Sequence, residues 1–296
     1  MRNIDEDTIT QAVIARHAQA PNARLREVTT SLVQHIHAFA RDVKLTEAEW
    51  LQAISFLTET GHTCINQRQE FILLSDILGL SMLVTALNHK KPAGCTEATV
   101  LGPFHIEGAA HHDHGADLAH GAKGEPCFVR GHVRALDGTP VPGATLDVWQ
   151  SDSEGFYDVQ LGPQAGLPEH RARGVLTSGA DGGYHFRSIL AEPYPIPHDG
   201  PVGRLLQQLG RHPWRPAHLH FMISAPGFQT LTTHVFREGG TYLDSDAVFG
   251  VRSSLIAEWV SHEPGRTPDG ANSDVPFYTL EFDFVLNKAR RPSSQA

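Results

Sequence analysis

The hydrophobic rhythm of the chain changes near residue 100. Before that point apolar residues recur every three or four positions. Leu25, Val28, Leu32, Ile36 and Phe39 form one such stripe, the face of an amphipathic helix. Thr46 and Glu49 have the spacing of a capping box and open a second helix, with Trp50, Ile54 and Leu57 on its apolar face. A third helix is expected from about Gln67 to Asn88, apolar over much of its length (Phe71, Leu74, Ile77, Leu78, Leu80, Met82, Leu83). That much apolar surface needs a partner, either the rest of the chain or a second subunit.

Beyond residue 100 glycine and proline punctuate the chain and the apolar period falls towards two. Phe128–Val133, a turn at Asp137–Gly143, and Ala144–Trp149 read as strand, turn, strand. Further strands are expected at Tyr184–Leu190, Ala217–Ser224, Leu231–Arg237 and Phe277–Val285, with a polar loop at His262–Asp274. The pattern predicts an α+β chain: a helical region over 1–98, a mostly antiparallel β-sandwich over 99–288 and a loose tail over 289–296.

The 296 residues are 40% hydrophobic and 19% charged, a globular composition. Lys and Arg number 24 against 33 Asp and Glu, a net charge of −9. That balance argues against nucleic acid and against an anionic membrane surface as partners. No signal peptide is readable and no run approaches the ~18 apolar residues of a membrane span. Three widely spaced cysteines, Cys64, Cys95 and Cys127, point to a reduced cytoplasmic protein without a thiolate zinc site. The 19 histidines are the one compositional oddity. His111, His112, His114 and His120 lie in a Gly/Ala-rich stretch and read as a solvated loop.

The sharpest local feature is Arg215–His220 (RPAHLH). On a strand, His218 and His220 point to one face while Leu219 and Phe221 point to the core. Two imidazoles side by side suit a metal. A cupin glutamate is absent from the following residues, as is HExxH, and a facial triad would have to recruit Glu238 or Asp244. Tyr194 is bracketed by Pro193 and Pro195, which excludes a central strand and holds its phenol on an extended loop. Tyr157 follows the strand ending at Trp149, whereas Tyr184 and Tyr278 fall within strand patterns and read as core or sheet-face residues. Two phenols with two imidazoles would select a hard metal such as Fe(III), because a phenol of pKa ~10 ionises at neutral pH only on a strong Lewis acid. Whether the four side chains converge is open at this level.

The ordered set LGPF (101–104), PVPGA (140–144), DVWQ (147–150), GFY (155–157), YPIP (194–197) and GRHPWRPAHLH (210–220) resembles the intradiol ring-cleavage dioxygenases, over nearly the whole chain. Within that family the stretches LLSD (73–76), VLGPF (100–104), YPIPHDGP (194–201) and LDSDAVFG (243–250) look most like the branch that opens hydroxyquinol. His234 stands where many catechol-cleaving members carry Gln, which fits that branch and leaves the role of this side chain open.

The resemblance implies a non-haem Fe(III) held by Tyr157, Tyr194, His218 and His220. Arg215 would stabilise negative charge on the substrate, and Tyr194 would help remove a proton. Leu73, Asp76, Val100, Gly102, Pro103, Phe104, Ile196, Pro197 and Val248 would line the substrate pocket. The implied reaction opens 1,2,4-trihydroxybenzene with O2 to 3-hydroxy-cis,cis-muconate and maleylacetate, with catechol or a chlorocatechol as the alternative substrate. It also implies a homodimer through the N-terminal helices, with a phospholipid bound there. Outside the family, an iron-free β-sandwich binding module and an Fe(II) extradiol or cupin-like oxygenase are the competing readings.

Overall fold

The computed structural model describes residues 2–65, 68–162 and 167–289. The start of the third predicted helix at Gln67 and the tail at 290–296 lie outside the described residues. By internal contacts the chain forms two compact units, 1–62 and 63–296.

The first unit is helical: α1 (Ile9–His17), α2 (Ala23–Asp42) and α3 (Glu47–Thr63), the last ending at the unit boundary. The Asn22 side chain caps α2 by accepting from the Leu25 amide at 2.9 Å. The predicted capping box closes α3: the Thr46 amide donates to Glu49 Oε2 at 2.9 Å and the Glu49 amide to Thr46 Oγ1 at 3.3 Å. Leu25, Leu32, Ile36 and Phe39 are each more than half exposed in the single chain.

In the second unit the single helix expected to Asn88 is two helices, α4 (Glu70–Ile77) and α5 (Leu80–Asn88), bent by 80°. The break is at Gly79, whose φ of +74° is left-handed backbone that terminates a right-handed helix. No single helix among the described residues is long and apolar enough to cross a membrane.

The remaining elements follow in chain order. They begin with β1 (Pro126–Ala135), β2 (Thr145–Gln150), α6 (Asp158–Leu161), β3 (Arg173–Thr177), β4 (Gly183–Ile189) and β5 (Tyr194–Pro195). Then come α7 (Pro201–Gln208), β6 (Trp214–Arg215), β7 (His218–Ser224), β8 (Leu231–Arg237) and β9 (Ile256–Ala257). The chain closes with β10 (Trp259–His262), β11 (Gly265–Arg266), β12 (Asn272–Ser273), β13 (Phe277–Glu281) and β14 (Phe284–Leu286). One sheet has the order β10-β13-β1-β14, with β4 on the other side of β1; the second is β3-β2-β7-β8-β9. Pairing is mostly antiparallel, with β1 parallel to both β13 and β14 and β8 parallel to β9. The turn after β1 therefore carries the chain from one sheet to the other and does not close a hairpin.

The two sheets face each other across one core. Leu146, Val148, Leu219, Phe221 and Ile223 from the second sheet meet Val129, Val133, Tyr184, Phe186 and Phe284 from the first. The Phe221 ring lies 4.6 Å from Phe284 and 6.1 Å from Tyr184. Burial there pushes the Cys127 thiol up to about 12, so this cysteine is an inert apolar core residue.

Two loops predicted from polarity alone are more ordered than expected. Residues 110–118 lie along the edges of both sheets: Val175 accepts from the His112 amide at 2.8 Å and Arg187 from the Leu118 amide at 2.7 Å. This strap covers the free edges of β3 and β4, so His112 and His120 are half-buried while His111 and His114 stay exposed. The loop at 262–274 contains the short β11–β12 pair.

The strand expected over 277–285 is interrupted at Phe282 and Asp283, which bulge against β1. The Phe282 amide donates to Arg130 O at 3.0 Å and Phe282 O accepts from the Tyr184 hydroxyl at 2.7 Å. Gly131 permits this: a Cβ there would lie 1.7 Å from Phe282 O. Gly131→Ala must displace the bulge, with an expected cost of about 3 kcal/mol and a fall in thermal midpoint of about 6–12 °C. A calorimetric midpoint matching wild type would refute this packing.

Candidate active site

β7 is the strand on which the site depends. It lies between β2 and β8 in the second sheet, with Leu219 and Phe221 completely buried in the core, as the alternation predicts. His218 and His220 project from the opposite face and are each only 1% exposed. Register then decides their neighbours: His220 is opposite Trp149 on one side and His234 on the other. The His220 imidazole stacks on Trp149, with centroids 4.6 Å apart and planes 16° apart, and meets His234 edge-on at 4.3 Å.

The tyrosines arrive by different routes. Tyr157 precedes α6, where its amide donates to Gln160 Oε1 at 2.9 Å. The next residue, Asp158, accepts from Arg173 Nε at 2.7 Å in a buried ion pair, and Arg173 also donates to Phe104 O at 3.1 Å. Phe104 in turn stacks on Tyr157 at 4.4 Å. Tyr194 sits in the two-residue strand β5, directly opposite Arg215 of β6. The prolines around Tyr194 exclude a long strand, as expected, yet this short pairing sets a phenol and a guanidinium side by side.

All four rings converge. The Tyr157 hydroxyl is 2.9 Å from His220 Nε2, and His220 Nε2 is 3.1 Å from His218 Nε2. Arg215 Nη1 is 3.3 Å from His218 Nε2 and 3.4 Å from the Tyr194 hydroxyl. Tyr157, Tyr194, His218, His220 and Arg215 are each at most 1% exposed.

The electrostatics follow from burial. His218 is pushed down to about 3, by desolvation first and then by the Arg215 charge. His220 and His234 are held well below the usual histidine range, again mainly by desolvation. Desolvation, with Tyr194 adding to it, holds the Tyr157 phenol well above its ordinary value. His218 Nδ1 faces Pro216 O at 2.7 Å, and a carbonyl can only accept. The proton is therefore on Nδ1, and the Nε2 lone pair points into the cluster.

Arg215 is paired with Asp246, Nε to Oδ1 at 3.0 Å and Nη2 to Oδ2 at 3.3 Å. Desolvation alone would raise Asp246; the Arg215 charge and the Gly250 amide, at 2.8 Å, hold it below the ordinary carboxylate value instead.

The predicted pocket residues divide. A Cβ on Gly102 (φ +79°) would come within 3.2 Å of His220 Cε1, so this backbone packs directly on the imidazole. Phe104 contacts Tyr157 and lies 6.0 Å from Tyr194. Asp76 is 6% exposed and interacts electrostatically with Arg215 and Asp246; its carboxyl is raised, by desolvation first. The Val248 amide donates to Asp246 at 3.3 Å. Leu73, Val100 and Ile196 are buried, Pro197 is half-buried and Pro103 is exposed. Glu238 and Asp244 are exposed, which removes the carboxylates that a facial triad would have recruited.

Sequence reasoning missed Asp246 as the counter-ion, although a buried arginine requires one. It also missed the placement of His234. His218, His220 and His234 offer ligand atoms within 4.8 Å of one another, the one such group of three among the described residues. His234 Nδ1 pairs with Thr99 Oγ1 at 2.9 Å, while His234 Nε2 and His220 Nδ1 are buried without a partner. The Nε2 atoms of His218 and His220 and the phenols of Tyr157 and Tyr194, gathered away from water, fit a metal cation.

Comparison with known proteins supplies the family. Residues 100–288 match the Dioxygenase family model and residues 22–96 match the Catechol dioxygenase N terminus. The chain belongs to the intradiol ring-cleavage dioxygenases. It is 61% identical to 6-chlorohydroxyquinol 1,2-dioxygenase of Cupriavidus pinatubonensis, over 97% of this chain and 99% of that one. It is 49% identical to hydroxyquinol 1,2-dioxygenase of Nocardioides simplex, over 96% of each. The crystal structure of hydroxyquinol 1,2-dioxygenase from Pseudomonas putida superposes with a TM-score of 0.89 at 44% identity, covering 96% of this chain and 99% of that one. This intradiol dioxygenase has the same overall architecture as catechol 1,2-dioxygenase from Pseudomonas arvilla, at a TM-score of 0.81 and 29% identity, covering 98% and 94%.

Asp246→Ala strands a buried guanidinium beside the imidazoles. The expected loss of stability is about 3–5 kcal/mol, readable as a lower urea midpoint. An unchanged midpoint would contradict the pairing.

Proposed function

We propose that this dioxygenase opens the ring of hydroxyquinol (1,2,4-trihydroxybenzene), with a ferric ion held by Tyr157, Tyr194, His218 and His220. The observation that carries the reading is the buried convergence of two phenols, two imidazoles and the Arg215 guanidinium, linked by separations of 2.9–3.4 Å. Two phenolates and two imidazoles favour Fe(III) over Zn(II), because hard anionic oxygen ligands match the higher charge. When bound, the ferric ion supplies Lewis acidity and redox coupling between the diol and O2.

The protein side of the chemistry follows from the same contacts. Arg215 is fixed by Asp246, so its charge requires no reorganisation as electrons accumulate on the ring. The Tyr194 oxygen, next to that charge, is the group assigned to take a proton from a substrate hydroxyl. Phe104 and the Gly102 backbone bound the space beside Tyr157 and His220 and exclude water. The product on this reading is 3-hydroxy-cis,cis-muconate, which tautomerises to maleylacetate.

Hydroxyquinol is favoured over catechol by Asp76. The buried Asp76 carboxyl is hydrogen-bonded to Ser81 and interacts with Arg215 electrostatically; its remaining acceptor sites suit a third hydroxyl, a contact that catechol would not make. The near-full-length likeness to hydroxyquinol-cleaving relatives supports the same choice. A homodimer through the N-terminal helices, with a phospholipid between them, and a cytoplasmic location complete the proposal. The half-exposed apolar stripe of α2 supports the dimer.

The test is a titration of purified protein, following the visible spectrum and O2 uptake with hydroxyquinol and then catechol. A red protein whose broad band shifts on adding hydroxyquinol, with faster O2 uptake than for catechol, is expected. A colourless protein that stays inert after iron reconstitution would overturn the reading. Tyr157→Phe should lose the band and lower activity by at least about 100-fold; a variant that keeps both would remove Tyr157 from the ligand set. Asp76→Ala should lower kcat/KM for hydroxyquinol by about tenfold or more while changing that for catechol less than about threefold. Equal losses on both substrates would refute the role given to Asp76.

A further inference from the structure

Arg211 lies outside the cluster of rings but ties together two segments that border it. Its Nη1 donates to Ile77 O at 2.6 Å and its Nη2 to Ala247 O at 2.9 Å. Ile77 is the last residue of α4, so its carbonyl is one of those that a helix end leaves without an intrahelical partner. Ala247 lies between Asp246, which pairs with Arg215, and Val248. The guanidinium also covers the Phe249 ring, its central carbon 4.8 Å from the ring centroid. Phe249 is held at φ +60° and packs beside the place where a Cβ on Gly79 would lie, 3.5 Å from Phe249 Cδ2. The arginine, the α4–α5 bend and the 246–250 turn thus form one clamp.

Each clamped segment carries a residue of the proposed pocket. Within α4, Asp76 immediately precedes Ile77 and Leu73 lies one turn back; next to Ala247 stands Val248. A planar guanidinium with donors at fixed spacing can hold two carbonyls and a ring at once, and an ammonium cannot. We infer that Arg211 is a positioning residue that sets the distance between the Asp76 wall and the Val248 wall of the pocket, and thereby selects for a substrate with a third hydroxyl. The inference rests on the reading of Asp76 and Val248 as pocket walls. A displaced α4 weakens the contact made to the extra hydroxyl, whereas catechol has no group there to lose it.

The test compares wild type with Arg211→Met, which keeps an unbranched stem as far as about the Nε position and removes every donor, and with Arg211→Lys. Dissociation constants for hydroxyquinol and catechol are measured anaerobically from the shift of the visible band, and KM and kcat from O2 uptake. Arg211→Met is expected to raise KM and the dissociation constant for hydroxyquinol about tenfold, as the loss of one well-placed polar contact does. Its kcat should stay within about threefold, its catechol constants within about threefold, and its visible band unchanged. Arg211→Lys should move in the same direction by a smaller factor, and it decides the matter if Arg211→Met does not fold. Unchanged constants, equal weakening for both substrates, or loss of the band would overturn the role of Arg211. A wild-type protein without the band, or without preference for hydroxyquinol, would instead refute the proposed function itself.

Discussion

Four polar rings and a guanidinium share a volume from which water is excluded, and the rest of the second unit is arranged around that constraint. Desolvation keeps the imidazoles neutral and the Tyr157 phenol protonated in the absence of a cation. Arg215 cannot shed its charge, and Asp246 beside it offsets the cost of burying that charge. A cluster of this kind is costly to assemble unless its polar atoms are used, and the unpartnered His220 Nδ1 and His234 Nε2 show that hydrogen bonding inside the protein does not satisfy them all. The arrangement is one of preorganisation: charge and lone pairs are set in place by the fold before any ligand arrives.

The sandwich meets the constraint by giving β7 two faces with different tasks. Leu219, Phe221 and Ile223 anchor the strand in the shared core, and the Phe221–Phe284 contact bridges the two sheets. The same pleat presents His218 and His220 on the reverse side. Trp149 and His234 flank His220 because neighbouring strands align side chains on one face. A slip of one residue in β7 would reverse both faces at once, so core packing and site geometry enforce the same register. Tyr157 and Tyr194 come from irregular segments, each held by its own local bonds: the Asp158–Arg173 pair beside one and the β5–β6 pairing beneath the other.

Around this rigid centre the proposed pocket walls belong to segments with few regular bonds. α4 is short and ends at a glycine bend, and the 246–250 turn is fixed largely by hydrogen bonds to Asp246. Arg211 joins the two. On the proposed reading the chain separates chemistry, carried by strands and short pairings, from the choice of ring substituent, carried by a helix end and a turn. That division is consistent with similar architectures at 29% and 44% identity among solved dioxygenases whose named substrates differ.

Much of this was legible in the sequence, and the part that was not has a common cause. Local patterns encode local physics. The three-to-four spacing of α2, the capping box at Thr46 and Glu49, and the alternation that sends Leu219 one way and His220 the other all depend on near neighbours, and all appear in the structure. The order of motifs from Leu101 to His220 was sufficient for the family. What sequence patterns could not specify was long-range pairing. Asp246 was indistinguishable from Asp244 and Glu238 until the fold buried one acid beside Arg215, 31 residues away in sequence, and left the other two exposed. His234 became a neighbour of His220 only through the β7–β8 register, and the 110–118 strap read as solvent because its partners lie on two different sheets. Hydrophobic period reports which face a residue takes; which distant residue shares that face is decided by tertiary packing and the need to neutralise buried charge.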